Sequence, residues 1–142
     1  MKSETMQARR LLAETGCSLA VVRGASTATF AQRGIRPLVE CLDRDESFLS
    51  GACVADKVIG KAAALLMVYG GVAEVFAAVI SDAAAGVFEA AKVPFTAEKR
   101  VPYIINREGT GMCPMEQKAL PMHAPEEAFR FFRGLVLEKQ GS

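Results

Sequence analysis

The chain has 142 residues, 51% of them hydrophobic, with 17 basic and 16 acidic side chains and a formal charge of +1. At that length one domain over residues 1–142 is the expectation, hiding roughly 68% of the extended-chain surface on folding. The near-neutral balance excludes a globally basic nucleic-acid binder, and no local stretch gives a strong nucleic-acid signal.

Met1–Gln7 lacks the apolar core of a signal peptide. The most apolar run, Ala62–Val68, is far shorter than the roughly 20 residues of a membrane-spanning helix. The expected setting is therefore the cytoplasm, without a membrane partner. Cys17, Cys41, Cys53 and Cys113 are then reduced thiols rather than a disulfide framework.

In chain order, Ser3 ahead of Met6, Ala8, Leu11 and Leu12 predicts a capped amphipathic helix closed by Gly16. Ser18–Arg23 and Thr27–Gln32 read as strands joined at Gly24 into a hairpin. A short helix is expected over Arg36–Leu42, with Pro37 at its start, followed by a solvated connector, Asp43–Ser47. Phe48–Val54 reads as a strand or an irregular lead-in. Asp56–Tyr69 reads as a helix of about 21 Å, N-capped by Asp56 and ended by Gly70-Gly71. Beyond Lys61 it is so rich in alanine and leucine that most of its circumference needs cover. Val72–Ile80 is apolar enough for a strand packed on both faces. A helix over Asp82–Lys92, a strand near Thr96–Val101, a Pro/Gly-rich loop over Pro102–Pro114 and a final helix from Pro125 to Glu138 complete the chain. Alternating strands and helices after a hairpin predict an α/β fold: a three-layer α/β/α sandwich around a mixed sheet.

Three segments are distinctive: Arg33–Leu38, Val54–Ala64 and Val101–Glu116. Together they resemble DUF1893, a bacterial and archaeal family of unknown function, over roughly Leu11–Leu137. The resemblance implies a cytidine deaminase-like fold and brings no established activity. A zinc deaminase carries His or Cys, a small residue and Glu at one helix start, and Pro-Cys-x-x-Cys at the next. Here the first signature would fall at Val54-Ala55-Asp56 and the second near Ile80–Ala85, where no cysteine stands. Cys53 is offset by one residue, about 100° on a helix. A metal set drawn from Cys53, Cys113, Glu116 and His123 would need long-range convergence, and His123 reads as a surface residue before a helix. The expectation is a domain with no zinc, no other cofactor and no metal site.

Two local patterns point to an anion. On a helix, Lys57 and Lys61 would be i,i+4 neighbours near the positive end of the dipole, with Gly60 between them, and each feature is mildly unfavourable. An anionic ligand beside the two lysines, or a backbone brought close to Gly60, would offset these penalties. In the loop, Asn106-Arg107-Glu108-Gly109 reads as a turn, and Gly109-Thr110-Gly111 could place amides in an anion-holding concavity. Arg107 would grip a phosphate and Tyr103 would stack on a base or ribose. No P-loop and no dinucleotide fingerprint is present. The leading reading is thus a deaminase-like domain without zinc chemistry that binds a small phosphate-bearing, nucleotide-type ligand. A non-zinc enzyme using Asp56 as acid or base, with Cys113 as nucleophile, is the alternative. A third reading is a homo-oligomeric interaction module built on the terminal helix, whose Phe129, Phe131, Phe132, Leu135 and Val136 form an apolar stripe.

Overall fold

A computed structural model describes residues 1–141, with side chains through residue 137. Its first helix, α1 (Ser3–Thr15), ends at Gly16 in the left-handed conformation, φ 71°. The expected Ser3 cap is absent: Lys2 occupies the N-cap, and its amide donates instead to Glu74 Oε1 at 2.7 Å, an acceptor from across the fold. β1 (Leu19–Arg23) and β2 (Ser26–Phe30) pair antiparallel with Arg23 opposite Ser26, so Gly24 and Ala25 alone make the turn. Gly24, at φ 59°, supplies the left-handed residue such a tight hairpin requires.

After the hairpin come α2 (Arg36–Arg44), β3 (Cys53–Ile59), α3 (Lys61–Gly70), β4 (Glu74–Ser81), α4 (Asp82–Ala91), β5 (Phe95–Val101), the short α5 (Pro114–Ala119) and α6 (Pro125–Gly141). The strands form one mixed sheet in the order β2-β1-β3-β4-β5. β1 runs antiparallel to both its neighbours, whereas β3, β4 and β5 are parallel. Each crossover through α2, α3 and α4 therefore joins parallel strands and steps across the sheet in the same direction. Right-handed connections then place all three helices on one face.

The core agrees with that placement. Leu38 and Leu42 of α2, Leu65 and Leu66 of α3 and Phe88 of α4 share one cluster with Val21, Val54 and Val75 of the sheet. α1 covers the opposite face, where Ala8 and Leu12 meet Ala20, Val22, Ala55 and Phe76. α6 joins the thicker side, stacking Phe129 on Tyr69 at 4.5 Å between ring centroids and pairing Arg133 with Asp43 of α2. The result is an α/β domain with helices on both faces of a mixed sheet. Among the described residues, no helix is long and apolar enough to cross a membrane.

One boundary departs from the sequence expectation and moves the site. The segment Asp56–Ile59 belongs to β3, not to the following helix, and pairs in parallel with β4 through Ile59↔Ile80. Val58 and Ile59 are β-branched and suit that strand. Gly60, extended at φ −95° and ψ −179°, becomes the N-cap, and α3 starts at Lys61 with ten residues instead of fourteen. As expected of its composition, α3 is covered nearly all round: Lys61 to Met67 are all buried. Gly70 permits the close approach of Leu49, whose Cβ would lie 2.8 Å from an added methyl.

Candidate functional site at the carboxyl edge of the sheet

The parallel strands β3 and β4 lead into α3 and α4 at one edge of the sheet, with a single residue, Gly60, between β3 and α3 and none between β4 and α4. Both helix N-termini therefore present orphan amides there, the usual address of anions in such folds. The boundary shift separates the two lysines read as a pair. Lys57 lies exposed on β3 and donates from Nζ to the Gly16 carbonyl at 3.1 Å. It places a cation at the C-terminus of α1, where the dipole welcomes one. Lys61 is nine-tenths buried, and its Nζ donates to the Leu120 carbonyl at 2.6 Å, at the C-cap of α5. Each lysine thus caps a different helix.

What fills the orphan amides is Glu116, on α5. It is 2% exposed, and its Oε1 accepts from the Lys61 amide at 2.7 Å and from the Ser81 hydroxyl at 3.2 Å. Its Oε2 accepts from the Ile104 amide at 2.9 Å. Ser81 is itself the N-cap of α4, accepting from the Ala84 amide at 3.1 Å. One carboxylate therefore joins α3, α4 and the loop before α5. Charge-assisted bonds of this kind contribute about 1.5–3 kcal/mol each, which offsets taking the carboxylate out of water. Gly60 makes the approach feasible: a Cβ there would stand 3.3 Å from Glu116 Oε1 and 3.2 Å from Ile104 Cγ1. Reasoning from the sequence did not assign Glu116 to a binding role. With the helix read as starting at a capping Asp56, no sign of it was visible; only once α3 starts at Gly60-Lys61, without a Ser, Thr, Asp or Asn cap, does its first amide need an acceptor from elsewhere.

The loop ahead of Glu116 is a small closed hairpin. Ile105 bridges Met112, the Asn106 amide donates to the Gly111 carbonyl at 2.8 Å, and the Cys113 amide to the Ile104 carbonyl at 2.8 Å. The turn expected at Asn106–Gly109 is present, with Gly109 at φ 73°. Its amides are engaged internally: Gly109 N donates to the Asn106 carbonyl at 3.1 Å and Thr110 N to Asn106 Oδ1 at 3.0 Å. Asn106 Nδ2 reaches Thr110 Oγ1 at 3.1 Å. Two of the donors expected to cradle a phosphate are thus turned inward by Asn106. Arg107 and Tyr103 are exposed, with no bond to Lys61 or Asp56.

Asp56 sits in β3 between Leu19 of β1 and Ala77 of β4, and is not a helix cap. It is nine-tenths buried, and its Oδ1 accepts from the Val58 amide at 3.3 Å. Burial pushes its carboxyl up to about 7, against the weaker pull of the Val58 and Lys57 amides. Cys113, half-buried at the N-cap of α5, shares no hydrogen bond with Asp56.

Beside Lys61 a groove of about 460 Å³ opens between α3 and α4. Leu65, Val68, Val87 and Met122 give it apolar walls, and Lys61 and His123 give it polar groups. His123 is exposed just before α6, as its position in the sequence suggested. Among the described residues, no carboxylate lies within ion-pair distance of Lys61, and no three His, Cys, Asp or Glu side chains gather as metal ligands. The helix expected from Asp56 starts instead at Gly60-Lys61-Ala62, whereas α4 does start within Ile80–Ala85 as expected, and neither start carries His or Cys.

Fold and site together define a mixed-sheet α/β domain whose helix N-termini are tied to one internal carboxylate. The chain belongs to DUF1893, a domain of unknown function, whose family model matches residues 7–136. It is similar to a DUF1893 family protein from Thermotoga maritima known from its crystal structure, at 30% identity and a TM-score of 0.85, over 98% of this chain and 91% of that one. No curated protein matches the sequence.

Proposed function

We propose that this DUF1893 chain is a cytoplasmic, cytidine deaminase-like domain without zinc chemistry that binds a small phosphate-bearing, nucleotide-type ligand in the groove between α3 and α4. The observation that carries the reading is Lys61. Lys61 is nine-tenths buried as a residue, and lysines buried to that extent usually meet a carboxylate partner. Among the described residues it meets a single carbonyl, and two of its three donors are left for an anion. His123 adds a further donor along the groove, and the apolar walls fit a base or sugar. The four free cysteines accord with a reducing compartment. The mixed sheet, with β1 as the antiparallel member beside three parallel strands, supports the deaminase-like comparison.

A thermal-shift screen against nucleoside monophosphates and nucleotide-sugars tests this reading. Stabilisation by at least one of them is expected, abolished in Lys61→Met and retained in Lys57→Met. No stabilisation at millimolar ligand, or equal loss in both variants, contradicts it. A second reading is favoured by Asp56: a buried acid poised near neutrality suits proton transfer on such a ligand. Ligand turnover lost in Asp56→Asn would support that chemistry.

A further inference from the structure

We propose that Glu116 is a positioning residue: an anion supplied by the chain itself, which latches the segment from Ile104 to Leu120 onto α3 and α4 and so aims the Lys61 ammonium into the groove. The inference rests on the ligand reading above and deepens it. Lys61 is held at both ends by the same segment. Its amide donates to the Glu116 carboxylate at 2.7 Å, and its ammonium donates to the carbonyl of Leu120, which follows α5. Glu116 also takes the Ile104 amide and the Ser81 hydroxyl, so the hairpin that carries Ile104 is fixed to α4 as well as α3. Four donor groups therefore converge on one side-chain carboxylate and one backbone carbonyl of this segment.

The geometry makes the two tasks interdependent. A lysine side chain free to rotate loses considerable entropy when it must meet an anion. Leu120 removes that freedom beforehand, but only while α5 is docked, and docking depends on Glu116. Gly60 keeps the space open, since an added Cβ would touch both the Glu116 carboxyl and Ile104. Glu116 itself does not touch the ligand. Its oxygens already have three partners, and its influence passes through the Lys61 backbone and the carbonyl of Leu120.

Amide hydrogen exchange and nucleotide thermal shift, measured on wild type, Glu116→Ala and Glu116→Gln, test the proposal. The Ala variant is run in sodium chloride and in sodium acetate of equal ionic strength. In chloride, the Lys61 and Ile104 amides should exchange about tenfold faster or more. The shift given by a nucleoside monophosphate that stabilises wild type should fall with them. Acetate, entering the space the side chain leaves, should restore both protection and shift. The Gln variant keeps an acceptor for Lys61 but turns an NH₂ toward Ile104, so only the Ile104 amide should lose protection. It also supplies the answer should the Ala variant not fold. Unchanged exchange in both variants, or an unchanged nucleotide shift alongside lost protection, overturns the proposal while leaving the ligand reading intact. If wild type itself shows no nucleotide shift, the ligand reading falls and the aiming of Lys61 falls with it. Acetate-dependent protection would then show the latch alone.

Discussion

Replacing Asp56 by Asn should make the protein more stable at pH 8, with only about a quarter of that effect at pH 4.5. The carboxyl is raised by burial from 3.8 to about 7 in the folded protein, so over that window the native state holds a proton that the unfolded chain releases. Stability therefore falls as pH climbs from about 4 to about 7, and is flat above. At 1.36 kcal/mol per pH unit the full loss is about 4 kcal/mol, an upper bound because the strand relaxes and water enters. Asn keeps an oxygen for the Val58 amide, which the Asp56 carboxylate accepts at 3.3 Å, and removes the ionisation. Urea unfolding of both proteins between pH 4.5 and 8.5 gives the difference directly. It should grow by a few kcal/mol between pH 4.5 and about 7 and then level off, with unchanged m-values. Parallel stability curves would refute the idea that Asp56 is buried without charge compensation.

Two further outcomes follow from contacts remote from the site. Gly70→Ala should destabilise by about 1–3 kcal/mol in chemical denaturation, because the new methyl would stand 2.8 Å from Leu49 Cβ and 2.9 Å from its Cδ1. A stability equal to wild type would show that Leu49 can yield freely. Glu74→Gln should cost about 1 kcal/mol at pH 7. Burial pushes this carboxyl up, but the Lys2 amide and nearby positive charge help to hold it below its ordinary value of 4.5. Its contribution is thus present above that value and disappears as pH falls through the lower folded value, so the wild-type and variant acid transitions should converge. Curves that stay apart at pH 3 would contradict this.

Much of the architecture was legible in the residues. Gly24 marked the hairpin, Gly70-Gly71 ended α3, and the apolar run before Ser81 announced a strand covered on both faces. The start of α3 was not legible. Asp56 and Lys57 are poor strand formers beside a run of strong helix formers, and only pairing with β1 and β4 sets them in the sheet. That one boundary created the apparent lysine pair. Asn106–Gly109 was recognisable as a turn, but its sequence does not say that Asn106 takes the amides for itself. Glu116 lay beyond reach for a different reason. Its partner Lys61 is 55 residues away, and with Asp56 read as the helix cap no amide was left calling for a distant acceptor.

The location of the ligand is tested most directly by amide chemical shifts during titration with a nucleoside monophosphate that stabilises the protein. Changes are expected at Lys61, Leu65, Val87 and His123, around the groove. The amides of Asn106, Gly109 and Thr110 should stay fixed, held within their own hairpin. Shifts confined to that hairpin, with Lys61 and His123 unmoved, would contradict the account.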